Sequence, residues 1–239
     1  MKVVISLKRI LLSLVFVSVI CITCALSFSL AENKSVSVGI SNRPAVILDA
    51  GHGGFDGGAV AGDGTVEKDI NLAICKKTQE MLKFNGIDVI MTRNTDTGTE
   101  DIDGSIAKRK KSDMQNRLKL MRENPEAVFV SVHLNKFTTS AARGAQVFYT
   151  PNFEAARELG EDIQASIVAL LQPDNTRVIK KGNSSTYLLK NATVPAVIVE
   201  CGFLSNSIDL ANLKKEEYQS QMAFCIVKGV TEYINVKDE

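Results

Sequence analysis

Hydrophobic and polar positions follow two different spacings in turn from residue 45 onward. Short apolar runs are typical of buried strands, and apolar positions three or four residues apart indicate helices. The predicted strands cover 45–50, 87–92, 127–133, 144–149, 177–181 and 195–200, and the segment 186–190 is placed in the same sheet. The predicted helices cover 67–84, 112–123, 153–171 and 216–234, with a short helix capped by Asn206. This alternation favours an α/β sandwich built on a largely parallel sheet.

The first 31 residues have a different pattern. Three basic residues, Lys2, Lys8 and Arg9, precede an uncharged stretch over 10–30 that is rich in Leu, Val, Ile, Phe and Ser. A basic start followed by an apolar run is typical of an export signal, but about 20 apolar residues also suffice to span a bilayer. We therefore expect 1–31 to be a signal peptide or a signal anchor, with membrane contact through 10–30. Either interpretation places the rest of the chain outside the cytoplasm.

The remaining chain is predicted to contain a polar linker over 32–43 and one globular domain over 44–236. The chain has 28 basic and 27 acidic residues, and three of the basic ones lie in the first 31 residues. The remainder is thus slightly acidic, and nothing in it favours nucleic-acid binding. Its three cysteines are too few for a disulfide framework, and Cys75 and Cys225 are predicted to be small buried hydrophobic residues.

A polar segment with a basic end, 93–112, separates the second strand from the second helix. Such a segment is most simply a mobile, solvated face. The alternative is a loop at the edge of a substrate site, because binding residues are often carried by loops.

The two histidines of the chain both follow hydrophobic strands. His52 follows strand 45–50, and His133 ends strand 127–133. Glu67 opens a helix after the first loop, and Glu200 ends strand 195–200. The carboxyl ends of strands in an open α/β sheet are where ligands bind. A catalytic zinc site takes three imidazole or carboxylate ligands and leaves one position open, and His52, Glu67 and His133 meet that count.

The fourth group, Glu200, lies on an apolar strand, where a carboxylate is costly unless it is paired or near a metal. It could act as a general base that takes a proton from water and passes it to a leaving amine. A phosphate-binding loop is the other interpretation of the Gly-rich segment 51–64. Asp56 stands where the third glycine of that motif belongs, and the segment has no Walker lysine, so the metal site is favoured.

Five stretches of the sequence resemble the zinc-dependent N-acetylmuramoyl-L-alanine amidases. They are Leu-Asp-Ala-Gly-His-Gly-Gly-Phe-Asp-Gly-Gly-Ala (48–59), Glu-Lys-Asp-Ile-Asn-Leu (67–72), Met-Thr-Arg (91–93), Ser-Val-His-Leu-Asn (131–135) and Val-Glu-Cys-Gly-Phe-Leu-Ser-Asn (199–206). Segments 110–117 and 187–192 resemble the spore-cortex, germination-specific type within that family. The resemblance runs in order over about 45–235.

The resemblance implies a three-layer α/β/α sandwich around a mixed, largely parallel sheet. It also implies a zinc ion (Zn2+) held by His52, Glu67 and His133, with Glu200 as the catalytic glutamate. The expected substrate is peptidoglycan, cleaved at the amide between the lactyl group of N-acetylmuramic acid and the L-alanine of the stem peptide. An exported enzyme acting in spore-cortex maturation or germination fits this pattern. Because no wall-binding module is visible, targeting is expected to use 1–31 or an activating protein partner.

Two other functions remain open on the residues alone. One is a different zinc hydrolase of the cell wall, a peptidase or a deacetylase, and its released product would distinguish it. The other is a membrane-anchored wall-binding protein without catalysis, against which the intact set of His52, Glu67, His133 and Glu200 argues. Cys201, next to Glu200, is not expected to act as a nucleophile, because no third histidine is present to activate it.

Overall fold

The computed structural model describes residues 43–183 and 186–237. The expected signal segment and nearly all of the expected linker lie outside the described residues. Within those two ranges, no helix is long and apolar enough to cross a membrane.

Six strands in the described part of the chain form one mixed sheet, as expected. They are β1 (Val46–Ala50), β2 (Val89–Met91), β3 (Val128–Asn135), β4 (Gln146–Tyr149), β5 (Lys180–Lys181) and β6 (Ala196–Phe203). Their spatial order is β2-β1-β3-β6-β4-β5. Neighbouring strands are parallel except for β4 and β6, which pair antiparallel.

Helices cover both faces of this sheet, which confirms the three-layer α/β/α sandwich. They are α1 (Glu67–Phe84), α2 (Ile106–Glu123), α3 (Glu154–Leu170), α4 (Tyr187–Asn191), α5 (Ser207–Leu213) and α6 (Glu216–Lys237). One core layer packs α1, α3 and α6 against inward-facing side chains such as Val130 and Val199. The other packs α2 and α4 against the opposite face, around Phe129 and Ile198. The predicted cap of α5 is confirmed, since the Asn206 side chain accepts hydrogen bonds from Ile208 N and Asp209 N.

Two element predictions were wrong. Helix α2 begins at Ile106 instead of 112, with the Ser105 side chain accepting a hydrogen bond from Lys108 N. Its first turns carry no apolar stripe, and their Lys and Arg residues are good helix formers without leaving a periodic signal. The segment 186–190 forms helix α4 instead of a strand. Its apolar run is too short for periodicity to separate the two structures.

A register shift at the end of β3 and β6 determines which side chains share a face. His133 pairs with Glu200, and Asn135 pairs with Phe203. Two residues of β3 are thus matched by three of β6, which is a bulge in β6. Paired residues of neighbouring strands point to the same face, so His133 and Glu200 lie side by side. Glu200 lies inside β6, three residues before its last residue, and not at its end as predicted.

Candidate metal centre

The loop after β1 places His52 in an unusual backbone conformation. His52 has a φ of 62° and is the one non-glycine residue with positive φ in the described part of the chain. Gly51, immediately before it, packs under the His133 imidazole, since a Cβ there would lie 2.3 Å from the ring. A Cβ at Gly58 would lie 2.6 Å from Glu67 Oε2 and 2.7 Å from the His52 ring. The two glycines therefore let the two imidazoles and the carboxylate approach one another.

His52, Glu67 and His133 converge as the sequence predicts. Glu67 Oε1 lies 3.3 Å from His52 Nε2 and 3.0 Å from His133 Nδ1. One ligand atom from each of the three side chains lies within 4.8 Å of the others. The imidazole centroids are 4.9 Å apart with their planes at 77°. Two nitrogens and one carboxylate oxygen around one point fit the donor set that zinc prefers.

Hydrogen bonds hold Glu67 in place as an anion. Backbone N–H groups of Ala59 and Leu134 donate to its two oxygens at 2.8 and 3.0 Å, and Asn71 Nδ2 donates at 3.3 Å. Burial opposes the charge, but the hydrogen bonds and charges of the two imidazoles hold the pKa of Glu67 well below its usual range. As the first residue of α1 it also lies at the positive end of that helix. Glu67 is therefore a charged ligand before any metal binds.

A second carboxylate orients the His52 ring. Asp56 Oδ2 lies 3.0 Å from His52 Nδ1, on the side of the ring away from Glu67. The other oxygen of Asp56 accepts from Gly58 N at 3.2 Å and pairs with Lys110 Nζ at 3.0 Å. Burial disfavours the imidazolium, but Asp56 and Glu67 raise the pKa of His52 to about 9. Asp56 keeps a proton on Nδ1, so Nε2 is the nitrogen that becomes a ligand once it loses its own proton, which is the usual arrangement for a carboxylate–histidine–metal group.

Glu200 lies next to this cluster with an unsatisfied oxygen. Its Oε2 is buried and accepts no hydrogen bond, whereas most buried polar atoms have a partner. Burial raises the pKa of Glu200 to about 7. A carboxyl with an unpartnered oxygen, beside a candidate metal centre, has the position and the environment of a proton acceptor.

Two buried arginines, which the sequence reasoning did not select as site residues, hold the main chain of the His52 loop. Arg93 donates to Ala50 O at 2.8 Å and to Gly51 O at 3.1 Å. Arg117 donates to Ala50 O at 3.2 Å and to His52 O at 2.9 Å. Both residues fall in segments that resemble the amidase family (91–93 and 110–117), and this resemblance could have identified them as residues that support the site. Three consecutive carbonyl oxygens thus accept hydrogen bonds from guanidinium groups.

The charge of Arg117 is matched by two buried carboxylates. Arg117 pairs with Asp49 and, at 2.8 Å, with Asp113. Ser131 Oγ donates to Asp49 at 2.5 Å and Thr92 Oγ1 donates at 2.7 Å. Burial opposes the charge of Asp49, but Arg117 and these hydroxyl groups hold its pKa below the usual value. This network connects β1, β3 and α2 directly beneath the His52 loop.

The segment 93–112 packs against the His52 loop and is not merely a solvated face. Asp96 accepts from Gly54 N at 2.9 Å and from Lys68 Nζ at 2.7 Å. Thr97 O lies where a side chain at Gly53 would be, 2.3 Å from an added Cβ. The segment therefore packs against the loop that carries His52, and a role at the edge of a substrate site stays a prediction.

The described cysteines take no part in the centre. Cys75, Cys201 and Cys225 are free and buried, as predicted for Cys75 and Cys225. Burial holds the pKa of the Cys201 thiol well above 9.0, which keeps it protonated and unreactive.

The fold agrees with what comparison with known proteins finds. The family model for N-acetylmuramoyl-L-alanine amidases (Amidase_3) matches residues 46–232, a range that contains His52, Glu67, His133 and Glu200. The chain belongs to the N-acetylmuramoyl-L-alanine amidase family. By class it is an enzyme, a hydrolase of peptidoglycan.

Similar proteins in this family include a germination-specific amidase and amidases of known structure. The germination-specific N-acetylmuramoyl-L-alanine amidase of Bacillus subtilis is 35% identical over 196 residues, covering 81% of each chain. Among solved structures, the CwlD amidase of Clostridioides difficile, in complex with the GerS lipoprotein, is 37% identical. It has a TM-score of 0.78 and covers 81% of this chain and 99% of that one. An N-acetylmuramoyl-L-alanine amidase from Clostridium difficile 630 is 31% identical, with a TM-score of 0.71, over 82% of this chain and 100% of that one.

Proposed function

We propose that the protein is a zinc-dependent amidase that cleaves the bond between the lactyl group of N-acetylmuramic acid and the L-alanine of the stem peptide. His52, Glu67 and His133 bind the zinc ion, and Glu200 is the general base. The observation that carries this proposal is the convergence of three ligand atoms within 4.8 Å of one another, beside a carboxyl with an unpartnered oxygen.

Zinc bound there supplies a Lewis acid for the carbonyl of the scissile amide. The chain's own residues prepare the site for it. Glu67 provides the negative charge, and Asp56 keeps Nε2 of His52 directed at the centre. Gly51 and Gly58 have no side chains, and this leaves room for the two imidazoles and the Glu67 carboxylate to approach one another. Fixed ligands on rigid elements lower the cost of assembling the site.

Glu200 handles the proton in this reaction. The Glu200 carboxylate accepts a proton from the attacking water while the oxygen of that water adds to the carbonyl carbon of the scissile amide. The same proton is then given to the nitrogen of L-alanine as the C–N bond breaks, which releases a free amino group and regenerates the carboxylate. Burial raises the pKa of Glu200 above that of an exposed glutamate, which makes its protonated form a better match for giving the proton to the leaving nitrogen.

We infer the cellular role from the named relatives. The Bacillus subtilis relative is described as germination-specific, and we propose a role in spore cortex for this chain. Export would depend on 1–31, as a cleaved signal or as an anchor with membrane contact through 10–30. The CwlD structure contains a lipoprotein partner, and we propose that a protein partner activates or targets this chain as well.

Metal content and product identity test the proposal together. The full chain is purified, its zinc is measured, and its peptidoglycan digest is analysed by mass spectrometry. One zinc per chain with released peptides that begin with L-alanine is the expected result. Zinc with shortened peptides or with acetate would instead indicate a peptidase or a deacetylase. A chain that neither binds added zinc nor releases any product would be the non-catalytic wall-binding protein.

Replacing Glu200 separates catalysis from metal binding. Glu200→Gln keeps the shape of the side chain but cannot accept a proton, so kcat should fall about 10²- to 10⁴-fold with one zinc still bound. His133→Ala should lose the metal as well as the activity. The exposed Glu126 provides a matched control, since Glu126→Gln should change neither quantity. Full turnover by Glu200→Gln would remove the residue from its assigned role.

A further inference from the structure

Arg177 is a fixed guanidinium close to Glu200 that the mechanism above does not use. Its Nε donates to Arg143 O at 2.8 Å, and its Nη1 donates to Gln146 Oε1 at 3.1 Å. The guanidinium carbon lies 4.6 Å from the centroid of the Phe203 ring, a stacked arrangement that favours a cation. These contacts hold the plane of the group in one orientation.

Two of the groups that hold Arg177 are neighbours of Glu200 in the sheet. Gln146 is the residue of β4 that pairs with Glu200, so the two side chains point to the same face. Phe203 lies past the bulge of β6 and pairs with Asn135, which brings it to that face too. Adjacent strands are about 4.8 Å apart, so a group in contact with Gln146 lies within about 10 Å of Glu200.

The charge of Arg177 has no carboxylate partner among the residues that the structure describes. Within this part of the chain the Arg177 side chain donates only from Nε and Nη1, and both acceptors are uncharged, so Nη2 has no acceptor there. The stretch 171–195 contains four basic residues and one acid, Asp174. Lys180 and Lys181 belong to the edge strand β5, where lysines protect a sheet edge from pairing. That explanation does not extend to Arg177, which lies outside the strand and is held on three sides.

The direction from Glu200 to Arg177 is the direction in which a substrate can extend. The candidate zinc ligands all lie on the β1 and β3 side of Glu200, and Arg177 lies on the β4 side. An extended peptide advances about 3.3 to 3.6 Å per residue. A residue two or three positions beyond the scissile amide therefore reaches Arg177.

We propose that Arg177 binds a carboxylate of the stem peptide and makes the enzyme select stem peptides in which that carboxylate is free. The inference rests on the proposed function, because it places the scissile bond at Glu200. A guanidinium held in plane with unused N–H donors is suited to a carboxylate, with which it forms short, charge-assisted hydrogen bonds. A carboxamide at the same place would put its own donors against the guanidinium and would bind weakly.

Equilibrium binding tests the proposal apart from turnover. The zinc-loaded full chain carrying Glu200→Gln is titrated calorimetrically with three muramyl tripeptides. The first has all its carboxylates free, the second is amidated at the second stem residue, and the third is amidated at the terminal residue. The same titrations are made with Arg177→Gln or Arg177→Lys added, and with Arg157→Gln as the matched control. Arg157 is an exposed arginine of α3 that pairs with Glu154 and Glu161.

The expected result is that one of the two amidations weakens binding about 10- to 100-fold, which identifies the carboxylate. Arg177→Gln should weaken binding of the free peptide by the same factor and should not change binding of that amidated peptide. Arg177→Lys should recover part of the loss, and Arg157→Gln should have no effect. Equal losses on all three peptides, or none, would overturn the subsite. A chain that cleaves as proposed but shows no carboxylate dependence loses only the subsite, whereas carboxylate-dependent binding without cleavage at L-alanine contradicts only the proposed function.

Discussion

At the scale of single residues, the candidate centre depends on a strained residue that its surroundings hold in place. A histidine with positive φ is uncommon, and such a conformation costs about 1–3 kcal/mol. Here Arg117 holds the carbonyl oxygen of His52 and Asp56 holds its ring. The backbone and the imidazole are thus fixed from two sides before a metal binds. The ligands are therefore in position before the metal binds, and we expect this to raise the affinity for the metal.

Asp56→Asn tests the contribution of the ring contact. The amide can still form a hydrogen bond, but it provides no charge and can hold Nδ1 as an acceptor or as a donor. Loss of such a partner typically weakens metal binding 10- to 100-fold, and we expect a change of that size in the zinc Kd measured against a competing chelator. Asp63 on the same loop is the control, because it pairs with Lys214 and Thr65 and does not contact a ligand. Equal zinc affinities of the two variants would contradict a positioning role for Asp56.

The sequence was sufficient to select the residues that meet at the centre but not those that support it. His52 and His133 are recognisable because polar residues where apolar strands run out are unusual, and Glu200 because it interrupts an apolar strand. Glu67 is recognisable because it opens a helix directly after the Gly-rich loop. Arg117 looks like another charge in a polar helix, since burial depends on what the helix packs against. Its partner Asp49 is 68 positions away in the chain. No local pattern connects the two residues.

At the scale of elements, α2 connects the sheet to the His52 loop. Arg117 extends from this helix into the space beneath β1 and is 1% exposed. Lys110, one turn into the same helix, pairs with Asp56. The helix therefore contacts both the main chain and the side-chain partner of His52. This explains why the early start of α2, which the hydrophobic pattern missed, matters for the site.

Arg117→Met should destabilise the fold and the site together. The change leaves Asp49 buried with an uncompensated charge, and breaking a buried ion pair in this way costs about 3–5 kcal/mol. We expect that loss in the free energy of unfolding measured with urea, together with weaker zinc binding. Arg122→Met is the matched control on the same helix, because Arg122 is exposed and its replacement should change stability by at most about 0.5 kcal/mol. A loss in Arg117→Met no larger than in this control would mean that the network does not hold the loop.

At the scale of the whole molecule, the candidate centre lies near the carboxyl ends of the central strands β1 and β3, outside the two core layers. The two core layers pack on opposite faces of the sheet around residues such as Val130 and Phe129. Neither layer depends on the metal for its burial. This separates the protein from small metal-folded domains, which unfold when the metal is removed. Here the metal should add to a stability that the core already provides.

Removing zinc should therefore lower the melting temperature without unfolding the protein. A ligand present at 100 times its Kd stabilises the native state by about 2.7 kcal/mol, which in a domain of this size shifts Tm by about 5–10 °C. We expect this decrease on adding a chelator and its reversal with excess zinc, followed by scanning calorimetry. Magnesium should not restore Tm, because it prefers oxygen ligands. Glu67→Gln should show no zinc-dependent shift, since the charged ligand is lost. A chain that unfolds at 25 °C when zinc is removed would show that the centre, and not the two core layers, holds the fold together.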